Sequence, residues 1–220
     1  MLKKLLSHLP DIKLRENRYL WYILVLPGFL IAFFALERFG SEAYWISYMP
    51  LDDKIPFCEY FVLPYIMWYP FLVGTGLFLL LKDHDGFARY MSFIGIAFGI
   101  ALLFCALFPN GQNLRPVEFE RSNVFTWILG LLYKADDNQN VLPSMHVLGA
   151  WGAAIACCVS PVVRNRAVKL AAVLLAALIS ASTVRVKQHS VLDILAAIPV
   201  IVVLFLVIYK PWRKYSKGAR

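Results

Sequence analysis

The chain has few charged residues, and this shortage sets its class. Only 16% of its 220 residues are charged, whereas 60% are hydrophobic and the mean hydropathy is +0.63. Soluble domains average nearer ~25% charged residues. Several apolar stretches approach the ~20 residues that a helix needs to cross a bilayer. This composition excludes an ordinary soluble domain and predicts a single membrane-embedded domain over residues 1–220, without an internal repeat or a linker.

Cysteine is also scarce, with four residues in the chain. Cys105, Cys157 and Cys158 fall in apolar stretches, where a free cysteine behaves as a small apolar residue. The spacing of the cysteines predicts neither a disulfide framework nor a metal cluster. We expect no metal ion and no other cofactor.

The apolar runs predict an all-α fold, a bundle of six transmembrane helices with short interfacial helices. The predicted spans are residues 19–36, 59–81, 89–108, 143–160, 167–185 and 191–209. Leucines at helical spacing among lysines predict an interfacial helix over residues 1–18, with a loose basic tail as the alternative. A second apolar stripe, within residues 118–134, predicts a surface helix in the loop formed by residues 110–142.

The distribution of Lys and Arg predicts the orientation of the bundle. With six spans both termini share one side, and that side would hold 15 of the 22 Lys and Arg residues. The positive-inside rule places this side, and both termini, in the cytoplasm of a multi-pass cell-membrane protein. The net charge of +8 is then mainly a topology signal. No basic patch alternates with exposed aromatic residues, so no nucleic-acid partner is predicted.

Two histidines stand where predicted helices enter the bilayer. His146 follows Pro143-Ser144 at the start of one apolar run, and His189 precedes another, with Asp193 four residues later. Ionisable groups at a membrane are costly and indicate function by default. Asp193 is placed to orient the imidazole of His189 as a nucleophile, while His146 can donate a proton. Both histidines fall on the extracytoplasmic side of the predicted topology.

Other residues on the same predicted side can bind an anionic group. Ser144 opens a helix, and the free N–H groups and positive end of a helix attract anions. Arg115 can hold two oxygens of a phosphate at once, and Lys187 or Arg185 can add positive charge. The pattern predicts chemistry on a phosphate at a membrane surface without a metal, because fixed cations supply the positive charge.

Over residues 115–193 these motifs resemble those of the type 2 phosphatidic acid phosphatase superfamily. The family motifs are Lys-x6-Arg-Pro, Pro-Ser-Gly-His and Ser-Arg-x5-His-x3-Asp. The matching residues in this chain are Arg115-Pro116, then Pro143-Ser144-Met145-His146, then Ser182, His189 and Asp193. The resemblance implies that His189 is the nucleophile and that His146 is the acid.

Two positions depart from the family pattern. The Lys of the first motif would fall at Phe108, and the Arg of the third motif falls at Thr183. A nearby cation, Lys187, Arg185 or Lys134, is expected to replace them. The segment 182–189 is similar to the branch that contains inositol phosphorylceramide synthase-like enzymes.

The resemblance implies a lipid phosphatase that hydrolyses a phosphomonoester or pyrophosphate at the outer leaflet through a phosphohistidine. Undecaprenyl pyrophosphate, phosphatidylglycerophosphate and phosphatidate are the candidate substrates that it implies, with the lipid and the bilayer as partners. The similarity to the synthase-like branch keeps a second activity open, the transfer of a phospho-headgroup to an alcohol acceptor.

Two alternatives of other kinds come from the residues alone. His146, His189 and Asp193 could bind zinc, although the positive charges of Arg115 and Lys187 oppose a cation there. The protein could also be a non-catalytic lipid transporter or scramblase. A transporter would need ionisable groups near the membrane midplane, whereas these groups cluster at one face.

Overall fold

The computed structural model describes residues 18–39 and 44–209. This part of the chain is mostly helical, and five helical segments in it are long and apolar enough to cross a membrane. The predicted helical class is confirmed, and these five segments support the predicted membrane location. Most of the predicted interfacial segment 1–18 lies outside the described residues.

The helices follow one another along the chain, and the two longest connections are residues 40–61 and 108–123. In chain order they are α1 (Val25–Phe39), α2 (Val62–Ile66), α3 (Trp68–Lys82), α4 (His84–Leu107), α5 (Val124–Ala135), α6 (Met145–Val159), α7 (Arg166–Arg185) and α8 (Val191–Leu204). Shorter helical turns cover Arg18–Leu24, Asp52–Lys54, Glu59–Phe61 and Phe205–Tyr209. Strand β1 (Trp45–Ile46) pairs in parallel with β2 (Asn110–Gly111).

Five predicted spans coincide with long apolar helical segments. These segments are Tyr19–Phe39, Glu59–Lys82, His84–Leu107, Arg166–Arg185 and Val191–Tyr209. The remaining predicted span, residues 143–160, contains α6, which has 15 residues. At 1.5 Å per residue α6 is ~22 Å long, shorter than the ~30 Å hydrocarbon core of a bilayer. The number of six spans and the side of the termini therefore stay predictions.

Helix α6 lies at the centre of the bundle. It packs against α3, α4, α7 and α8. Glycines allow this close packing, because a Cβ atom at Gly149 would lie 2.8 Å from Trp68 Nε1 and one at Gly152 would lie 2.8 Å from Phe93. Small residues serve this purpose in helices that pack inside membranes. Protein therefore surrounds α6, which presents little surface to lipid.

Helix α1 packs along α4 at the periphery of the bundle. The ring centroids of Phe29 and Phe98 lie 4.7 Å apart, and a Cβ atom at Gly95 would lie 2.8 Å from Val25. The outer face of α1 is apolar, with Ile31 73% exposed. An apolar face of this extent fits a lipid environment.

Successive long helices run in alternating directions, so the bundle has two ends. The histidine end contains the first residues of α3, α6 and α8 and the last residues of α1, α4 and α7. The opposite end contains the turns that join α3 to α4 and α6 to α7. Asn110 holds the loops of the histidine end together, because its side-chain oxygen accepts from the N–H groups of Val141 at 3.0 Å and Leu142 at 2.8 Å. The N–H group of Ser47 adds a bond of 2.7 Å to the carbonyl of Gly111.

The surface helix predicted within residues 118–134 is present as α5. Asn123 caps it by accepting from the N–H groups of Phe125 and Thr126. Leu129 on its inner face is buried, whereas its outer face carries Trp127, which is 65% exposed. The location of α5 on a membrane surface stays a prediction.

Candidate functional site

The first turn of α8 positions His189 and Asp193. Asp193 Oδ2 accepts from the N–H group of Ser190 at 3.0 Å and contacts His189 Nδ1 at 3.1 Å. The hydroxyl of Ser47 donates to Asp193 Oδ1. Because an ionised carboxylate only accepts, Nδ1 carries the proton of the neutral imidazole. The lone pair of His189 Nε2 is then available for attack.

Burial and main-chain bonds fix the orientation of this pair. Asp193 has no exposed surface and His189 is 6% exposed. The N–H groups of Gln188 and His189 both donate to the carbonyl of Thr183, at 2.9 Å and 3.1 Å. A buried carboxylate needs donors, and Asp193 has three of them in the bonds from His189, Ser190 and Ser47.

His146, in the first turn of α6, lies opposite His189. The two ring centroids are 5.7 Å apart, with 62° between the ring planes. Tyr65 stacks on His146 at 4.3 Å and Trp68 packs on it at 4.6 Å. His146 Nε2 is buried and has no hydrogen-bond partner among the described residues. Its hydrogen-bonding capacity is therefore available to a ligand.

Ser144 links the two histidine segments. It caps α6, accepting from the N–H group of Val147 at 3.4 Å, as the sequence predicts. Its own N–H group donates to the carbonyl of Asp193 at 3.1 Å. This main-chain bond joins the start of α6 to the first turn of α8 and brings His146 beside His189. The predicted contact of Ser144 with a phosphate stays a prediction.

A cavity of about 290 Å³ contains both histidines. Its volume is close to the lower limit of the ~300–1,000 Å³ that is typical of ligand sites. Helix α1 contributes Phe29, Phe33 and Phe34 to its lining, and His146 and His189 are among its polar residues. A lining that combines apolar and polar side chains suits a ligand that is amphiphilic.

A second buried carboxylate, Asp52, supports the start of α8. It accepts from Ser190 Oγ at 2.6 Å, from the N–H group of Val191 at 2.8 Å and from that of Met49 at 2.8 Å. Sequence reasoning missed both Asp52 and Ser47. Asp52 lies 138 residues from Ser190, and no local pattern reports a partner at that distance. The available signal was the pair Asp52-Asp53 in a chain with few charges.

Arg115 lies beside the site with its guanidinium engaged by the protein. Nη1 donates to the carbonyl of Tyr133 at 3.2 Å. Nη2 donates to the carbonyls of Asp136, at 3.0 Å, and of Asp137, and to Gln188 Oε1. A cation at the C-terminal end of α5 also complements the helix dipole. Arg115 thus holds the end of α5 against Gln188, and its predicted role as a phosphate ligand stays a prediction.

Lys187 and Arg185 contact other parts of the histidine end. Lys187 Nζ donates to the carbonyls of Asp52 at 2.8 Å and Ile55 at 2.7 Å, and its φ of 55° is left-handed. Burial lowers the pKa of the Lys187 ammonium, and the charge of Asp52 opposes this. The guanidinium of Arg185 lies 5.5 Å from the ring centroid of Phe61. Binding of phosphate by these two cations stays a prediction.

The positions at which the family motifs have cations are occupied differently. Thr183 is fully buried, and its hydroxyl donates to the carbonyl of Ser180 at 2.8 Å. Phe108 is 61% exposed, and Lys134 is exposed on α5. Within residues 18–39 and 44–209, no Lys or Arg lines the cavity.

Gln188 is a third residue that sequence reasoning missed. It is 2% exposed and lines the cavity beside His189. The bond from Arg115 to Oε1 fixes the amide orientation, and Nε2 has no partner in the described part of the chain. The sequence offered only its place next to His189 as a signal.

The geometry also bears on the zinc alternative. Among the described residues, no group of three or more His, Cys, Asp or Glu side chains is placed to hold a metal ion.

No family model, no curated protein and no solved structure matches the chain. The function must therefore be inferred from the residues and their geometry.

Proposed function

We propose that the protein is a membrane enzyme that removes the phosphate group of a lipid through a phosphohistidine at His189. The resemblance to the type 2 phosphatidic acid phosphatase superfamily implies this activity. One observation carries the proposal, the hydrogen-bond chain from Ser47 through Asp193 to His189, which faces His146 in an amphiphilic cavity. An imidazole held by a buried carboxylate is the arrangement of an activated nucleophile.

The reaction has two steps. In the first, the bound anionic phosphate favours a proton on His146. His189 Nε2 then attacks phosphorus, the N–P bond forms, the P–O bond to the lipid breaks, and His146 donates that proton to the leaving oxygen. In the second, His146 takes a proton from water, the water oxygen bonds to phosphorus, and the N–P bond breaks. An alcohol in place of water would give the transferase instead of the phosphatase.

Stabilisation of the charge on phosphorus is assigned to groups around the histidines. The positive end of α6 and the unpartnered Nε2 of Gln188 face the reacting phosphate in this proposal. Arg115 would act through Gln188, which lies between its guanidinium and the cavity.

The proposal includes six spans, cytoplasmic termini and a histidine end on the extracytoplasmic side. The alternating helix directions and the distribution of Lys and Arg support it. On a cysteine-free background, Asn113→Cys at the histidine end should react with an impermeant maleimide added to intact cells. Arg164→Cys, exposed at the opposite end, should react after the cells are permeabilised. The reverse labelling would overturn the orientation.

The roles of the two histidines are tested with two leaving groups. His189→Ala should abolish phosphate release from both a lipid phosphomonoester and p-nitrophenyl phosphate, because no leaving group replaces a nucleophile. His146→Ala should lower the rate of phosphate release from the lipid by about 10²–10⁴-fold. The loss of rate on p-nitrophenyl phosphate should be much smaller, because its leaving group needs little protonation. His84→Ala is the control, since His84 stacks on Tyr19 at the opposite end. Full activity of purified, folded His189→Ala would contradict the proposal.

A further inference from the structure

The wall of the cavity carries negative charge, which is unexpected in a site for a phosphate group. Glu37 of α1 lines the cavity together with Asp136 and Asp137 from the loop after α5. No Lys or Arg from residues 18–39 and 44–209 does so. Carboxylates repel a phosphate at such short range. A lipid phosphate would therefore bind there more readily if the same molecule carried a positive charge.

These three carboxylates, the acidic wall, are available to a ligand. Glu37 lies within electrostatic reach of both aspartates. In the described part of the chain neither Glu37 nor Asp136 has a side-chain hydrogen bond or ion pair, and Asp137 accepts from the N–H group of Gln139 at 2.9 Å. Burial raises the pKa of the Asp136 carboxyl, with Asp137 adding to the shift while His189 and Arg115 oppose it. A bound cation would offset the repulsion within the acidic wall.

An independent feature indicates where the phosphate lies. Gln188 is 98% buried, being 2% exposed, and it lines the cavity. Its Nε2 has no acceptor among the described residues. Arg115 fixes the amide by donating to Oε1, so the N–H groups of Nε2 are the ones presented. A buried donor without an acceptor is costly and calls for an anionic or neutral acceptor from a ligand. His189 lies next to it, so the phosphate oxygens would bind at this end.

Aromatic rings complete the surroundings of the acidic wall. Trp68 and Tyr69 line the same cavity, as do the phenylalanines of α1. The faces of such rings attract ammonium groups, most strongly where water is excluded. Carboxylates and aromatic faces together are the chemistry that recognises an organic cation.

We propose that the cavity binds a zwitterionic lipid phosphate, in which an ammonium group lies a few bonds from phosphorus. The phosphate contacts Gln188 and the two histidines, the ammonium contacts the acidic wall, and the lipid chain follows the apolar face of α1. This inference rests on the proposed function for the phosphate end and names the substrate class that the function leaves open. Ethanolamine and choline phosphodiesters and the phosphate of a sphingoid base share this chemistry. From the phosphodiesters the two steps would release the lipid alcohol and then the phosphorylated amino alcohol, and from the sphingoid base phosphate they would release inorganic phosphate. Phosphatidate and undecaprenyl pyrophosphate lack it.

The first experiment measures selectivity in turnover. The values of kcat/KM are compared in mixed micelles for phosphatidylethanolamine, phosphatidylcholine, sphingosine phosphate and phosphatidate. We expect at least one ammonium-bearing lipid to exceed phosphatidate. The variant Glu37→Gln/Asp136→Asn/Asp137→Asn should lower that ratio about tenfold, since each partly exposed ion pair contributes at most ~1 kcal/mol. The variant Glu118→Gln/Glu120→Gln, at exposed positions outside the cavity lining, is the control. An unchanged ratio in the triple variant would overturn the inference.

The second experiment measures binding without turnover. The affinities of His189→Ala in nanodiscs are compared for hexadecylphosphocholine and hexadecyl phosphate. We expect a preference for hexadecylphosphocholine that the triple substitution removes. If His189→Ala prefers hexadecylphosphocholine but the wild type turns over no lipid, the proposed function is contradicted and this inference is supported. If the wild type turns over phosphatidate and neither experiment shows a preference for ammonium-bearing lipids, the inference is contradicted and the proposed function is supported.

Discussion

The two ends of the helical bundle use polar side chains in different ways. At the opposite end Asp83 caps α4 by accepting from the N–H group of Gly86 at 2.9 Å, and Asn165 caps α7 by accepting from that of Ala167 at 2.8 Å. At the histidine end Ser47 and Asp193 are bonded across 146 residues of sequence. The opposite end thus caps its helices locally and has a bond between distant segments, from Ser160 Oγ to Asp83 Oδ2. The histidine end is joined by several such bonds, made by Ser47, Asp52 and Arg115.

This difference indicates that the two ends have different roles. A local cap fixes the end of one helix and contributes about 1 kcal/mol. A buried network across segments costs desolvation, but it fixes the relative positions of several side chains, which a reactive site requires. The histidine end therefore has the properties of a site, and substitutions there should affect activity more than substitutions at the opposite end.

The largest effect is expected for Asp193→Asn. The amide keeps the size of the carboxylate and its bond from the N–H group of Ser190, so the protein should fold. It no longer fixes the proton of His189 on Nδ1, and turnover should fall by about 10⁴-fold. Activity on a lipid phosphate is measured beside thermal unfolding. Asp85→Asn, exposed in the first turn of α4, is the matched control, and equal losses in the two variants would contradict the comparison.

The next effect is on stability, and it compares adjacent aspartates. Asp52→Ala leaves three donors without their acceptor, from Met49, Ser190 and Val191, and should lower the free energy of unfolding by about 3 kcal/mol or more. Asp53→Ala removes an exposed acceptor of the Tyr48 hydroxyl and should cost less than ~1 kcal/mol. Unfolding in detergent by a titrated denaturant measures both. Similar losses would show that the network of Asp52 does not hold the histidine end together.

A smaller effect is expected at the opposite end. Asn165→Ala removes one local cap and should cost about 1 kcal/mol of unfolding free energy, with turnover unchanged. The free energy of unfolding and the turnover of this variant are measured with the same preparations and assays. A loss of turnover without a loss of stability would show that the opposite end also contributes to the reaction.

Those parts of the molecule that depend on local pattern were predictable from the sequence. The apolar run 191–209 matches the helical segment Val191–Tyr209, and the predicted contact between His189 and Asp193 is present, although His189 lies before the N-cap of α8. The direction of a long side chain is set by tertiary contacts instead. For this reason the sequence could not show that Arg115 turns to the carbonyls at the end of α5. Ser47 gave no signal at all, because its partner is distant in the chain.

The smallest effect concerns how the stability of the protein depends on pH through Asp136 at the histidine end. Burial raises the pKa of Asp136 above its ordinary value of 3.8, so its ionised form costs stability at high pH. This destabilisation disappears as the pH falls through the raised pKa of Asp136 in the folded protein and then through its ordinary pKa in the unfolded chain. Asp136→Asn should therefore have a slightly higher Tm than the wild type at pH 8, and the difference should vanish by about pH 4. A lower Tm for the variant at pH 8 would contradict this account.

Detection of a phosphorylated His189 tests the central claim most directly. The wild type and the variants are mixed with p-nitrophenyl phosphate, quenched at alkaline pH, at which phosphohistidine survives, and mapped by mass spectrometry. We predict phosphate on His189 in the wild type and more of it in His146→Ala, because the first step needs little acid with this substrate while the second still needs a base. His189→Ala should carry none. Turnover by the wild type with no phosphate on His189, or equal labelling of His189→Ala at another residue, would contradict the mechanism.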